Sequence, residues 1–231
     1  MMIREYRLAD RGAVREISYV TSLEGRAHEF LDARETVEDT LTLYFTDHAP
    51  GSCFVAEDNG KVVGYLLGTD DVKAMEKVMV LNILPRILRE VVVQGTIFRR
   101  KNLLFLWNYF LGFCRGEFLL PKGACRRARF DHTFPATFHL NVMEGYRGKG
   151  IGAALVERNL SFLRGKGIRG VHIGTMSEQA KGLFVKLGFE VLYRSRRGYL
   201  KYILGYDTPY YILGKKLSVE EKQRLKDGHV H

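Results

Sequence analysis

One hexapeptide, Arg147-Gly148-Lys149-Gly150-Ile151-Gly152, constrains this chain more than any other stretch. Upstream, Ala136–Val142 alternates apolar and polar residues as a half-buried strand does. Downstream, residues 153–164 carry Ala154, Leu155, Leu160 and Leu163 at helical spacing. Three glycines in five residues between a strand and a helix let the backbone approach a ligand closely. They also leave N–H groups unpaired at the helix's positive end. A strand, a basic glycine turn and a helix together form an anion cradle.

Two phosphate motifs fit poorly. A P-loop requires Gly-Lys-Ser/Thr after a four-residue spacer, whereas Lys149 is followed by Gly150 and Ile151, with no hydroxyl for magnesium. A dinucleotide fingerprint reads Gly-x-Gly-x-x-Gly with an acidic residue about 20 positions on. Here the glycines run 148, 150, 152, and residues 170–174 contain no acid.

The pattern that fits is Arg/Gln-x-x-Gly-x-Gly/Ala, with Arg147, Gly150 and Gly152 at its three defined places. It resembles the pyrophosphate loop of the GNAT superfamily of acetyl-CoA-dependent N-acetyltransferases. The resemblance extends to Phe184-Val185-Lys186-Leu187-Gly188-Phe189-Glu190, a helix closed by glycine and followed by a strand. It extends also to residues 3–10, an opening strand with Asp10 as N-cap of the next helix. Residues 52–57 and 61–69 read as a hairpin around Asn59-Gly60. The similarity covers residues 1–70 loosely and 134–217 well.

The fold expected from this resemblance is α/β, with a GNAT-type mixed, mostly antiparallel central sheet flanked by helices. The whole chain, 1–231, is expected to be a single such domain. A helical insertion at about 71–133 lies between the third and fourth strands, and a strand and helix extension occupies about 205–231. Within the insertion, residues 71–90 and 97–113 recur at roughly helical spacing, with Pro85 interrupting the first. The bland reading of the insertion is extra core or a homodimer interface; the sharper one is a lid over the acceptor. A membrane-surface role lacks a strict amphipathic stripe in the sequence.

The net charge of +10 admits nucleic acid or an anionic cofactor. Residues 71–133 hold twelve Lys/Arg against five Asp/Glu, while 16–47 leans acidic. No aromatic–basic RNA signature or DNA-reading module appears, so no nucleic-acid partner is expected. Cys53, Cys114 and Cys125 form no CxxC and leave an odd count, which indicates neither a disulfide framework nor a zinc site. The charged N-terminus lacks a signal-peptide pattern, and no run reaches the ~20 apolar residues of a bilayer span. The expected location is cytoplasmic.

The resemblance implies acetyl-CoA as cofactor and an amine as acceptor. It places the cofactor on Leu140, Asn141, Val142, Arg147, Gly148, Lys149, Gly150, Ile151, Gly152 and Ala153. It also implies that the strand 136–142 carries a bulge and splays from the next strand, with a main-chain N–H at Val142 or its neighbour polarising the thioester carbonyl.

The acid and base positions depart from the family. The family's fourth-helix tyrosine, the usual proton donor to the thiolate, is replaced by Phe184, and the Asn of its motif by Ser177. The strand positions that carry a base in some members are Ala136 and Phe138. His139 lies one residue out of phase with them, its side chain expected to point away. Catalytic candidates are therefore weak: His132 and Glu144, with Asp131 beside the former and the tyrosines at 199, 202, 206, 210 and 211 as substitute acids. Glu24 and Glu29, near His28, are the candidates for holding a cationic acceptor. A CoA-binding module without catalysis is the alternative to an N-acetyltransferase. A capping box at Ser218-Val219-Glu220-Glu221 opens a terminal helix.

Overall fold

The computed structural model describes residues 1–26, 34–117 and 132–217. His28, Glu29, Cys125, Asp131 and the capping box at 218–221 lie outside the described residues.

The chain opens with β1 (Met2–Glu5) and α1 (Arg11–Thr21). Asp10 occupies the N-cap position but does not cap: its side chain makes no bond to the first turn of α1. The Arg4 guanidinium takes both carboxylate oxygens at 2.7 and 2.8 Å, and the Arg7 N–H a further 2.8 Å bond. The Arg4 pair holds the Asp10 carboxyl below the usual carboxylate range. A bidentate guanidinium outcompetes a surface cap.

After α2 (Arg34–Leu43), β2 (Cys53–Asp58) and β3 (Lys61–Thr69) form the expected hairpin. Asn59 and Gly60 both have positive φ, 48° and 76°, as a two-residue turn of this twist requires. Between β3 and the fourth strand the described residues form α3 (Val72–Val78), α4 (Leu84–Val93) and α5 (Arg100–Cys114). Pro85 does not break the first helical run. A π-turn over Met79–Ile83 joins α3 to α4, with Pro85 in the first turn of α4. The wider turn accommodates the missing N–H.

Then follow β4 (Ala136–Val142), α6 (Ile151–Gly165), β5 (Gly170–Thr175), α7 (Glu178–Lys186), β6 (Glu190–Arg197), α8 (Lys201–Leu204) and β7 (Thr208–Lys216). The sheet order is β1-β2-β3-β4-β5-β7-β6. Every neighbouring pair is antiparallel except β4 with β5. Both faces are covered, which β3 reports directly: Tyr65, Leu66 and Leu67 are all fully buried. Leu66 packs with Leu155, Leu160 and Phe184 of α6 and α7. Tyr65 and Leu67 pack with Val14 and Ile17 of α1. A third cluster, Leu43, Tyr44, Ile83 and Ile87, fastens the helical segment between β3 and β4 to α2.

Candidate functional site

The glycine loop forms at the far end of β4. Met143 N–H closes the β3 ladder on Val63 O at 2.9 Å, and a 3-10 turn over Glu144–Tyr146 leads to Arg147. Gly148 and Gly150 lie at φ 77° and 80°, a conformation that disfavours any L side chain. A Cβ at either position would meet open space, so it is dihedral demand, not crowding, that calls for glycine. Gly152 is different: its Cβ would stand 3.3 Å from Leu183 Cδ2, so it sets how closely α6 approaches α7.

Gly150 is the N-cap of α6 and offers no side chain to its first turn. The first bond back into the helix is Ala154 N–H to Gly150 O, 3.0 Å. The N–H groups of Ile151, Gly152 and Ala153 therefore have no partner within the helix. They are joined by the positive helix end, by exposed Lys149 over the Tyr146 ring at 4.9 Å, and by Arg147. Arg147 Nε donates to Val142 O at 3.1 Å, which ties the loop to the strand. Such an array holds a phosphate-like anion.

Alongside, β4 and β5 part company. They pair only at Ala136–Val171 and Thr137–His172, although β4 runs on to Val142 and β5 to Thr175. β4 remains in register with β3 throughout, from Thr69–Thr137 to Gly64–Val142, without a shift. The bulge expected in β4 is thus absent from its pairing with β3, while the splaying from β5 that the resemblance also implied is present and exposes the strand edge. Hydrogen bonding alternates along an antiparallel pair. Because Met143 bonds Val63 across the ladder, Leu140 and Val142 direct their main-chain N–H and C=O toward the gap. The gap and the glycine loop meet at Val142.

The side chains of β4 divide between the two faces. Ala136 and Phe138 enter the core under α6 and α7. His139 and Asn141 turn to the α1 face, where they meet Tyr65 of β3. Asn141 Nδ2 donates to Tyr65 Oη at 2.9 Å, and Tyr65 Oη stands 3.3 Å from His139 Nδ1. Burial lifts the Tyr65 pKa to about 12, so its hydroxyl keeps its proton and can donate it to the imidazole. The sequence reading missed this network; its signal was the period-two alternation that sets Tyr65 opposite Asn141.

Burial pushes the His139 pKa down to about 4. The sign follows: a ring that titrates near 6.5 when unfolded binds fewer protons when folded. Its contribution to stability is complete above pH 6.5 and is lost as pH falls toward 4. An NMR titration of the His139 C2 proton is expected to show a midpoint well below 6.5. A midpoint at the unperturbed value would mean a solvated ring and no buried network.

The other expected residues scatter. Phe184 is buried against Phe138 and Phe189, with ring centroids 5.8 and 5.6 Å away, so this position offers apolar packing and no proton. His132 is bonded to Arg169 at 3.1 Å, before the start of β4 and about 20 Å of strand from the glycine loop. Glu144 is exposed in the turn before that loop, and Glu24 lies in the 3-10 turn Ser22–Gly25 after α1. Tyr211 bonds the Glu178 carboxylate, and the Tyr210 ring stacks under Arg197 at 3.5 Å. Tyr199 directs its hydroxyl to Met176 Sδ at 3.9 Å, one residue past the end of β5, while Tyr202 and Tyr206 are exposed.

Residues 108–191 match the family model described as acetyltransferase (GNAT) domain. Among solved structures, SsHAT aligns with TM-score 0.64 and 22% identity, over 94% of this chain and 98% of its own. The putative acetyltransferase yncA of Salmonella typhimurium, solved with its cofactor acetyl-CoA, aligns at 0.56 and 20%, over 94% of each chain. The Drosophila melanogaster polyamine N-acetyltransferase, which forms N-acetylagmatine, aligns at 0.56 and 14%, over 94% of this chain and 99% of its own. Among curated proteins no sequence match is found. The fold is that of the GNAT acetyltransferases.

Proposed function

We propose, from a chain of GNAT fold, that the protein is an N-acetyltransferase using acetyl-CoA as co-substrate and a primary amine, of a small molecule or a protein lysine, as acceptor. The observation that carries this reading is the meeting of an anion cradle with an open strand edge at Val142. Acetyl-CoA supplies a diphosphate for the first and an extended amide arm ending in a thioester for the second.

Each part of the chain then has a task. The N–H groups of residues 148–153 bind the diphosphate, with Lys149 and Arg147 adding charge. The free N–H groups of Leu140 and Val142 orient the arm, and one of them stabilises the oxyanion that forms as the carbonyl is attacked. The amine must lose one proton to solvent before attack. Its nitrogen then bonds the carbonyl carbon, gives up a second proton to solvent, and as the C–S bond breaks the thiolate leaves with the electron pair. A thiol pKa of about 8.5 makes that departure possible without a dedicated acid, which suits a site where Phe184 replaces one.

Phe184 also favours a second reading, a CoA-binding module that does not catalyse. Two measurements test both. Acetyl-CoA at about 100 times its Kd is expected to stabilise the fold by about 2.7 kcal/mol. No rise in melting temperature at saturation would sink both readings. Thiol release over an amine panel then separates them: binding without turnover on any amine favours the module.

A further inference from the structure

The helices between β3 and β4 carry many exposed apolar side chains. On α5, Leu103, Leu106, Trp107, Phe110 and Phe113 recur at three- and four-residue spacing, one continuous stripe. All five are exposed, Trp107 at 60%, Phe110 at 55% and Phe113 at 62%. The two buried residues of α5 are Asn102, which is 3% exposed and donates to Thr96 O at 2.6 Å, and Gly112. An ordinary surface helix has the opposite arrangement. The preceding segment buries Ile83 and Ile87 but leaves Leu81, Leu84, Leu88 and Val92 exposed as well. Apolar exposure on this scale marks an interaction surface.

Charge selects the occupant. Residues 79–117 hold six cations, Arg86, Arg89, Arg99, Arg100, Lys101 and Arg115, against two acids, Glu90 and Glu117. Glu90 is paired with Arg86 at 3.0 Å and Glu117 with Arg115 at 3.6 Å, so the segment keeps a cationic excess. Arg99, Arg100 and Lys101 stand at the start of the α5 stripe and Arg115 at its end. A two-fold dimer through this face would set the same cationic patch against itself. A span across a bilayer is excluded for the described helices, since none is long and apolar enough. An apolar, aromatic stripe bracketed by cations fits the plane of an anionic lipid surface.

We propose that the α4–α5 segment docks the protein on anionic membranes, with the α5 stripe entering the headgroup region and the flanking cations meeting lipid phosphates. This inference is independent of the acyl-transfer reading. It takes from the sequence only the positions; the outward aim of the stripe comes from the fold.

Trp107 is the only tryptophan in the chain and reports on the stripe without a label. Full-length protein is mixed with vesicles of phosphatidylglycerol and phosphatidylcholine in equal parts, or of phosphatidylcholine alone. Trp107 emission is expected to move to shorter wavelength, and the protein to sediment, with the anionic vesicles. Partition should favour them by about tenfold or more, and the preference should shrink as salt rises. Phe110→Asp combined with Phe113→Asp, two exposed positions, should keep the circular dichroism and melting of the parent and lose the vesicles. Three results would overturn the proposal. One is no emission change with anionic vesicles, and another is equal partition into both compositions. The last is a concentration-dependent dimer, seen without lipid, that shields Trp107 and is broken by the same double substitution.

Discussion

Gly150→Trp is expected to abolish the rise in melting temperature that acetyl-CoA gives the parent protein. Gly150 caps α6 at φ 80°, and its missing Cβ faces open space on the outer side of the loop. An indole at the cap of α6 is expected to compete with an anion for the space beside the Ile151, Gly152 and Ala153 N–H groups. Two effects must be kept apart. Any L residue at this φ costs about 1–2 kcal/mol of fold stability, whether or not a ligand is present. Blocking the cradle acts only on the liganded state. Gly150→Ala supplies the control: it carries the dihedral cost with little bulk, so it should melt lower than the parent and still respond to the cofactor. Gly150→Trp should melt as low and not respond. If the tryptophan variant keeps the full cofactor shift, the diphosphate is held elsewhere and the assignment of the loop fails.

The loop could be foreseen because its cause is local. Positive φ at Gly148 and Gly150 and orphan N–H groups at a helix start follow from sequence neighbours alone. The Asn59-Gly60 hairpin was legible for the same reason. The gap between β4 and β5 was expected from the family resemblance alone, because strand separation depends on residues far apart that do not pair, and no residue of Ala136–Val142 encodes an absence. The expected bulge failed for a related reason: an unbroken alternation from Thr137 to Val142 keeps β4 in register with β3. Asp10 was misjudged as a cap because its partner, Arg4, comes from a neighbouring strand rather than from the helix it precedes. The helical spacing of α5 was visible, but apolar residues over much of its circumference gave no strict stripe and no direction. The burial of Asn102 and Gly112 settles which side turns inward.

Removing the Arg15 side chain is expected to produce a large loss of stability for a residue outside the apolar core. Arg15 of α1 bonds two carboxylates of α2, Glu38 at 3.0 Å and Asp39, which are only 6% and 5% exposed. Withdrawing the cation strands two buried negative charges, and breaking such a pair costs about 3–5 kcal/mol. Part of that is offset here: Arg34 still holds Glu38 at 2.6 Å, and Arg86 lies 4.0 Å from Asp39. A cost of about 2–3 kcal/mol remains, or roughly 5–10 °C in Tm for a chain of this size. Arg15→Met, which keeps the bulk of the stem, should do little better than Arg15→Ala, because charge and not volume is what is missing. Adding Glu38→Gln and Asp39→Asn to Arg15→Met should recover much of the loss by removing the stranded charges. The consequence reaches the site, since α1 covers the face of β3 and β4 that carries Tyr65, His139 and Asn141. Loosening α2 from α1 should therefore raise the His139 pKa toward 6.5 as water reaches the ring. An Arg15→Ala protein that melts with the parent, its His139 titrating unchanged, would show that α1 is held by its apolar contacts alone.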